Sequence, residues 1–419
     1  MANNDPDSVL HPGLVPAGQA LEIVLEGAGP GGTERVPVAE AAFRVLADDL
    51  ASLRTQPPFD ASAMDGYAVR HSDIAELPAN LQIIGQSAAG HPFSSVVAPG
   101  QAVRIFTGAP VPDGADTVVI QENTEAKDDT VTVTSETGAG RNIRKAGLDF
   151  REGDILIPRG SQLLPHTLAL AASMNHASLT VYRRPKVFVI TTGDELVLPG
   201  NALRPGQIIA SNSLALMALA REAGADAMDL GIAPDTREAL SRIVDKAMAA
   251  GADLIVTSGG ASVGDHDLVK PVLEELGFTF SFVKVAMRPG KPVIFAWRDV
   301  GGKRVRLLGL PGNPVSSLVA SSLFVRPLIR VLGGHPAEAA RPIPAVLGGP
   351  MPANDQRQDH VRATARRLEN GTLEVAPFSV QDSSMLATLQ KSDCLIVRPP
   401  FAPEAGAGDS VSVLLLRPI

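Results

Sequence analysis

The sequence predicts a multidomain α/β protein in which β-rich segments lie on both sides of a central α/β domain. Its 419 residues exceed what one ordinary hydrophobic core holds. Short alternating apolar runs divided by glycine and proline occupy residues 57–185 and return after residue 336, which is typical of β structure. Between residues 186 and 332, continuous apolar runs alternate with segments of helical spacing, the pattern of a parallel sheet covered by helices.

The N-terminal part combines a helical and a β pattern. Residues 17–55 carry apolar residues at helical spacing on both sides of a Gly/Pro-rich turn at 27–32, so we expect a helix on each side. Short strands should follow at 81–84, 102–106, 117–120 and 130–133.

The central domain shows alternating strands and helices. The run 187–190 is apolar throughout, as a strand buried on both faces should be. Further strands are expected at 227–232, 254–256 and 305–308, and helices at 213–223, 240–248 and 315–331. Pro327 should kink the end of the last helix. Residues 333–341 then form a linker to a small C-terminal β domain.

Charge and composition exclude several functional classes. The formal net charge of −8 weighs against a general nucleic-acid binder, which neutralises phosphates with Lys and Arg. We expect no membrane span and no secretory signal, because long apolar runs and a positive N-terminal region are not visible. The single cysteine, Cys394, excludes an intrachain disulfide and a Cys-rich zinc site, which fits a cytoplasmic protein.

Four predicted strand ends carry polar residues and glycines. These are residues 191–195, 234–235, 258–260 and 311–314. Ligands of open α/β sheets bind beyond the carboxyl ends of the strands, so we expect the four segments to share one site. The third segment opens a loop, 257–267, whose backbone N–H groups suit an anion and whose carboxylate, Asp267, suits a bound cation.

Each carboxylate near these ends also has a structural interpretation. Glu195 could be a solvated loop residue. Residues 235–238, Asp-Thr-Arg-Glu, match a capping box, so Asp235 could cap a helix and need no ligand.

Two further segments carry candidate residues. Lys284, Arg288 and Lys291 surround a Pro-Gly turn, and they are either an ordinary exposed loop or an oxyanion site. Asp65 lies in a segment that joins rigid prolines to hydroxyl and carboxylate groups, where a structural turn is the alternative, and Thr107 ends a predicted strand.

Taken together, the motifs resemble those of molybdopterin molybdenumtransferases, the molybdenum insertases related to the C-terminal part of gephyrin. Five segments match in order, and the resemblance extends over residues 17–419. The segments are 58–68, 104–112, 192–196, 258–270 and 310–317.

The resemblance implies a transferase that combines molybdate with adenylylated molybdopterin to give molybdenum cofactor and AMP. It also implies Mg²⁺ as cofactor, a homodimer and a molybdopterin adenylyltransferase as upstream partner. Four subdomains are expected: a linking and dimerisation subdomain (17–56 with 140–179), an inserted β-rich subdomain (57–139), a three-layer α/β molybdopterin-binding domain (180–332) and a barrel-like C-terminal β domain (336–419).

The same resemblance assigns the site residues. The catalytic set is Asp65, Thr107, Glu195, Asp235 and Asp267, of which the last three would hold the metal. The substrate-binding set is Ser258, Gly259, Gly260, Ser262, Lys284, Arg288, Lys291, Pro311, Asn313 and Arg362, with Ser383 as a further candidate.

This chain departs from the family pattern at three places. Arg288 replaces the usual Lys, and residues 264–270 keep Asp267 but lack the usual aromatic residue. Gln-Asp-Ser-Ser at 381–384 replaces Gln-Gly-Ser-Gly.

Two other functions stay open at this point. An adenylyltransferase would use the same α/β domain with ATP. A non-catalytic scaffold would bind a partner through a dimer surface.

Overall fold

The computed structural model describes residues 13–259, 268–337 and 341–419, which divide into two compact units. The β-rich unit comprises Arg35–Ala42 and Asp48–Thr180. The α/β unit comprises the described part of Met1–Glu34, together with Phe43–Ala47 and Val181–Ile419. The predicted multidomain α/β architecture is confirmed.

A six-stranded sheet forms the centre of the β-rich unit. In spatial order its strands are Thr117–Ile120, Gly66–Val69, Gln101–Ile105, Ala79–Ser87, Thr130–Val133 and Thr124–Lys127. The unit also contains the short strands Leu50–Ala51, Ala61–Ser62, Ile143–Arg144 and Ile155–Ile157 and the helix Pro165–Ser173. Alternate residues of the sheet enter two apolar clusters, one on each face, as the period of two predicts.

A glycine allows close strand packing beside Asp65. A Cβ atom at Gly66 would lie 1.9 Å from the Val119 carbonyl oxygen, so a larger residue does not fit. Gly66 begins the strand Gly66–Val69, and Asp65 therefore stands immediately before a tightly packed strand.

A second six-stranded sheet forms the centre of the α/β unit. Its spatial order is Asp226–Ala233, Lys186–Thr192, Leu254–Ser258, Lys303–Leu310, Ile294–Val300 and Thr279–Phe282. The first four strands are parallel, and the last two are antiparallel to their neighbours.

Helices cover both faces of this sheet, because its central strands are apolar on both sides. Val187 and Val189 face one cluster, which contains the helix Asn212–Glu222 and the helical stretch Pro314–Leu332. Phe188 and Ile190 face the other cluster, which contains the helices Arg237–Ala249 and Val269–Glu275. The three-layer α/β arrangement is thus the observed one.

Pro327 alters its helix one turn earlier than its own position. The stretch Pro314–Leu332 consists of the helices Pro314–Ala320 and Arg326–Leu332, joined by a π-helical turn at Ser321–Val325. Proline has no N–H to donate, and a wider turn accommodates the break. Within the described residues this stretch alone is long and apolar enough to cross a membrane, but 72% of its apolar window is buried, which is typical of a core helix.

The C-terminal domain contributes five strands to a seven-stranded sheet. Its order is Val15–Pro16, Val285–Arg288, Gln358–Arg367, Leu373–Pro377, Ile343–Leu347, Ser410–Leu415 and Cys394–Arg398. Gln358–Arg367 also pairs with Cys394–Arg398, so five strands close into a barrel. The barrel buries the thiol of Cys394 and raises its pKa to about 12, which makes the cysteine a packing residue.

Two smaller helices and several short strands complete the α/β unit. The helix Ala17–Leu25 packs into the larger apolar cluster, and Leu386–Lys391 precedes the last barrel strands. Leu196–Val197 pairs with Ile208–Ile209 in parallel. The strands Thr33–Pro37 and Ser178–Tyr182 lie near the boundaries between the two units in the sequence.

The prediction of a second helix within residues 17–55 is wrong. Ala41, Val45 and Leu46 are buried, as their apolar character suggests, but a 3₁₀ turn at Val38–Glu40 is followed by irregular chain. Phe43 has a φ of 63°, a left-handed conformation that an α-helix does not accept.

Candidate active site

A cleft of about 760 Å³ lies at the carboxyl ends of the four parallel strands of the α/β unit. The structure brings the four predicted segments together there: Thr191, Pro234, Ser258 and Pro311 all line the cleft. Glu195, Asp235, Gly259 and Asn313 are also lining residues. Apolar side chains form another part of the wall, namely Leu196, Ile208, Ile209, Leu240, Leu268 and Val269.

Gly259 lets two segments of the cleft pass close together. Its φ of 94° is in the left-handed region, and a Cβ atom would lie 2.4 Å from the Thr192 carbonyl oxygen. Its N–H donates to the Leu310 carbonyl oxygen at 3.2 Å, which links the end of Leu254–Ser258 to the next strand. Glycine is therefore required here by both conformation and space.

Two carboxylates, Glu195 and Asp235, line the cleft, and the carboxylate of Asp194 contacts the backbone of Asp235. The side chain of Glu195 folds back over Gly193, where a Cβ atom would lie 2.6 Å from Glu195 Oε2. The backbone N–H of Asp235 donates to Asp194 Oδ1 at 3.1 Å. Burial raises the pKa of Asp235, and the negative charges of Asp194 and Glu195 raise it further. A bound cation would relieve this repulsion.

The helix cap is Thr236, and the capping alternative for Asp235 is wrong. The helix Arg237–Ala249 begins after Thr236, whose Oγ1 accepts a hydrogen bond from the Ala239 N–H at 3.3 Å. Thr236 has the extended conformation of a cap, and Ala239 rather than Glu or Gln stands three residues later, so no capping box forms. The carboxylate of Asp235 is thus left for the cleft.

The predicted metal site cannot be assembled from the described residues. Among residues 13–259, 268–337 and 341–419, no three His, Cys, Asp or Glu side chains are grouped so as to hold a metal ion. The third predicted ligand, Asp267, lies outside the described residues, as do Gly260 and Ser262.

The three basic candidates flank a strand that belongs to the C-terminal sheet. Lys284 precedes the strand Val285–Arg288, and Lys291 precedes Pro292, a residue of the cleft wall. Arg288 forms a bidentate ion pair with the buried carboxylate of Asp359, with Nε 2.9 Å from Oδ1. Arg288 lines a separate cavity of about 630 Å³, which is bounded mainly by C-terminal residues.

The C-terminal candidates differ in their surroundings. Arg362 is only 1% exposed, and its Nε and Nη1 donate to Gln381 Oε1 and the Met385 carbonyl oxygen. Ser383 instead contacts the cleft loop, because Asn313 Nδ2 donates to Ser383 Oγ at 2.9 Å. The neighbouring Ser384 lines the cleft.

In the β-rich unit, the structure brings Asp65 and Thr107 together. The N–H and the Oγ1 of Thr107 both donate to Asp65 Oδ1, each at 2.8 Å. These two bonds lower the pKa of Asp65, with a smaller effect from the charge of Arg104. The candidates come from separate motifs 42 residues apart, and their pairing holds an ionised carboxylate in one orientation.

Sequence reasoning missed Asn212, whereas Thr192 belongs to the strand end 191–195 that it assigned to the cleft. Asn212 Nδ2 donates to Ser258 Oγ at 2.9 Å and to the Gly312 carbonyl oxygen at 2.7 Å. Thr192 is 6% exposed, and its Oγ1 has no hydrogen-bond partner among the described residues. One signal for Asn212 was available in the sequence: it is a polar residue that begins a helix just after a short apolar strand.

Three family descriptions match the chain in succession. Residues 15–175 match the MoeA N-terminal region (domain I and II), residues 188–331 a probable molybdopterin binding domain, and residues 344–416 the MoeA C-terminal region (domain IV).

Relatives and solved structures cover nearly the whole chain. It is 38% identical to the molybdopterin molybdenumtransferase of Haemophilus influenzae over 386 residues, 92% of this chain and 94% of the relative. It is 34% identical to that of Bacillus subtilis over 411 residues, 96% of this chain and 94% of the relative. Two structures of molybdopterin biosynthesis MoeA proteins from Pyrococcus horikoshii have TM-scores of 0.81 and 0.78, at 32% and 27% identity. They cover 97% and 96% of this chain and 100% of their own. The chain therefore belongs to the molybdopterin molybdenumtransferase family, a family of transferases in molybdenum cofactor biosynthesis.

Proposed function

We propose that this protein inserts molybdenum from molybdate into adenylylated molybdopterin, giving molybdenum cofactor and AMP. One observation carries the proposal: Gly259, Gly312 and the carboxylates Glu195 and Asp235 line one cleft of about 760 Å³ at the strand ends. This arrangement suits a substrate that has both an organic part and a phosphoanhydride.

The parts of the cleft suit different parts of that substrate. The backbone N–H of Gly312 is proposed as a donor for phosphoryl oxygens, whereas that of Gly259 is used by the Leu310 carbonyl oxygen. The apolar wall that includes Ile208 and Ile209 suits the flat rings of the substrate, those of the adenine and the pterin. In the proposed step a molybdate oxygen attacks the molybdopterin phosphorus, and the bridging oxygen leaves with AMP. The Mo–O bond to the phosphate then breaks and leaves the attacking oxygen on phosphorus. Two Mo–S bonds form to the pterin dithiol, and its two protons leave with one molybdenum oxygen as water.

Mg²⁺ is proposed as the cofactor. The donor set fits it, because Glu195 and Asp235 both line the cleft and offer carboxylate oxygens, the ligands that Mg²⁺ prefers. Asp267 is proposed as the third ligand. When bound, Mg²⁺ would neutralise charge on the phosphoryl oxygens. The protein residues hold and orient the anhydride.

The cationic residues are proposed to serve molybdate. Molybdate is an oxyanion, so Lys284, Arg288 and Lys291 are better suited to it than the carboxylates are. Asp65 and Thr107 remain proposed catalytic residues, and Arg362 and Ser383 remain proposed substrate-binding residues.

We also propose a homodimer in the cytoplasm that receives its substrate from a molybdopterin adenylyltransferase. The support is the family of the chain and its single buried cysteine. Light scattering of the purified protein tests the dimer, since a monomer mass at micromolar concentration would contradict it.

The deciding experiment measures AMP release from adenylylated molybdopterin by the purified protein, with and without molybdate. We expect release to require molybdate and to fall at least about a hundredfold in Glu195→Gln and Asp235→Asn. Asp245→Asn is the matched control, because Asp245 is an exposed carboxylate on the helix Arg237–Ala249.

The same measurement separates the alternatives. Formation of adenylylated molybdopterin from ATP without molybdate would instead indicate an adenylyltransferase. Unchanged cofactor formation in all site variants would indicate a scaffold.

A further inference from the structure

Asn212 joins two walls of the cleft. It is the first residue of the helix Asn212–Glu222, and its Nδ2 lies 2.9 Å from Ser258 Oγ and 2.7 Å from the Gly312 carbonyl oxygen. Ser258 ends one parallel strand, whereas Gly312 follows the next one. A single side-chain amide therefore joins the end of one strand to the loop that follows the next, and the phosphate is proposed to bind beside this junction.

The orientation of this amide follows from its partners. The carbonyl oxygen of Gly312 can only accept, so the group that faces it must be Nδ2 rather than Oδ1. The two N–H bonds of the Asn212 side-chain amide are then both used, one for Ser258 Oγ and one for the Gly312 carbonyl oxygen.

The loop after Leu310 is also held from its other side. Asn313 Nδ2 donates to Ser383 Oγ at 2.9 Å, and the Val315 N–H donates to the Ser383 carbonyl oxygen at 3.0 Å. Asn212 thus anchors the loop to the α/β core, while Ser383 anchors it to the C-terminal domain.

Preorganisation gives this anchoring its functional meaning. Backbone N–H groups bind an anion tightly only when they are already aimed at it, since ordering them during binding costs free energy. The close approach of Gly259 to Gly312, where a Cβ atom on Gly312 would be 3.8 Å from Gly259 Cα, depends on both loops staying in place.

We propose that Asn212 is a positioning residue, which holds the loop at Gly312 at the distance from Ser258 and Gly259 at which the nucleotide phosphate binds. The inference rests on the proposed function, because it assigns that cleft to a nucleoside phosphate. Asn212 acts through the two loops rather than on the reacting atoms.

The test compares Asn212→Ala and Asn212→Asp with Asn201→Ala. Asn201 is a matched control, because it lies in the same part of the chain and its Nδ2 makes only a local bond to the Leu198 carbonyl oxygen. For both Asn212 variants we expect the KM for adenylylated molybdopterin to rise about tenfold or more, since each loses the hydrogen bond to the Gly312 carbonyl oxygen. The KM for molybdate should stay within about twofold and kcat within about threefold.

Asn212→Asp separates positioning from side-chain size. It keeps the volume but sets an oxygen against the Gly312 carbonyl oxygen, so its effect should equal or exceed that of Asn212→Ala. An unchanged KM for adenylylated molybdopterin in both variants, with or without a lower melting temperature, would overturn the inference.

A binding measurement keeps this test independent of turnover. Calorimetric titration with AMP should show about tenfold weaker binding by Asn212→Ala than by the wild type or Asn201→Ala. Equal AMP affinities would overturn the role of Asn212 even if the enzyme is active. If the wild type binds AMP but releases none from adenylylated molybdopterin, the proposed reaction fails while the titration still tests Asn212.

Discussion

At the scale of single residues, polar side chains of this protein are held by partners that are distant in the sequence. Asp65 receives two hydrogen bonds from Thr107, and Arg288 pairs with Asp359, 71 residues away. Each contact sets the charge and the direction of a group that the sequence shows only as a residue type. The chemistry of the candidate residues is therefore testable one hydrogen bond at a time.

The Thr107 hydroxyl should be needed for the function of Asp65. Thr107→Val removes one of the two bonds to Oδ1, so the pKa of Asp65 should rise and AMP release should fall about tenfold or more. Thr107→Ser keeps the hydroxyl and should retain most activity. Carboxyl NMR titration and AMP release are the measurements, and equal behaviour of the Val and Ser variants would contradict the prediction.

His360 should make stability depend on pH. Its ring is 2% exposed, and burial lowers its pKa to about 4 from the usual value of about 6.5. Between these pH values the His360 imidazole is protonated in the unfolded chain but neutral in the folded protein. The free energy of unfolding should therefore fall as the pH decreases from about 6.5 to about 4. The whole effect is about 3 kcal/mol.

Urea unfolding at several pH values measures this effect. His360→Gln should weaken the pH dependence, whereas His166→Gln, a change at an exposed histidine, should not. The prediction is wrong if the wild type and His360→Gln lose stability in parallel between these pH values.

At the scale of elements, the ends of strands and helices decide what lines the cleft. The strand Leu254–Ser258 ends in a left-handed glycine, and Thr236 rather than Asp235 caps the helix Arg237–Ala249. The strand Val285–Arg288 enters the sheet of the C-terminal domain, which sets the direction of Arg288. Small differences at element ends thus place or remove functional groups.

Gly259→Ala should destabilise the protein more than Gly251→Ala. Both glycines have a positive φ, 94° and 80°, so each substitution costs about 1 kcal/mol of backbone strain. The two positions differ in the space for a side chain. A Cβ atom at Gly259 would lie 2.4 Å from the Thr192 carbonyl oxygen, whereas one at Gly251 would meet no atom within 4 Å. We expect about 2 kcal/mol of additional loss in unfolding free energy. Equal losses would mean that the Thr192 backbone yields easily.

At the scale of the whole molecule, the chain has two units with separate cores. Clusters of apolar side chains in the β-rich unit contain only residues of that unit, and the α/β unit has its own clusters on both faces of its sheet. Separate cores allow separate unfolding.

Heating should therefore give two transitions, of which AMP shifts only one. The single tryptophan, Trp297, lies in the strand Ile294–Val300, so its fluorescence follows the α/β unit alone. AMP at a hundred times its Kd should stabilise that unit by about 2.7 kcal/mol. Circular dichroism follows both units, and AMP should leave the melting temperature of the β-rich unit unchanged in this signal. A single transition that shifts as a whole in both signals would contradict the prediction.

Most elements, their order and the position of the cleft can be predicted from the amino-acid sequence. Local periodicity distinguishes strands from helices, and polar residues after apolar runs mark the strand ends, so Glu195, Asp235 and Ser258 could be predicted to share a site. The hydrogen-bond partner of each polar group, in contrast, becomes known from the three-dimensional packing. Asn212 and Gly312 are 100 residues apart, and the left-handed Phe43 interrupts a helix that periodicity favours. Such contacts depend on how distant elements pack, because a local pattern records burial and period but not the identity of the group across the cleft.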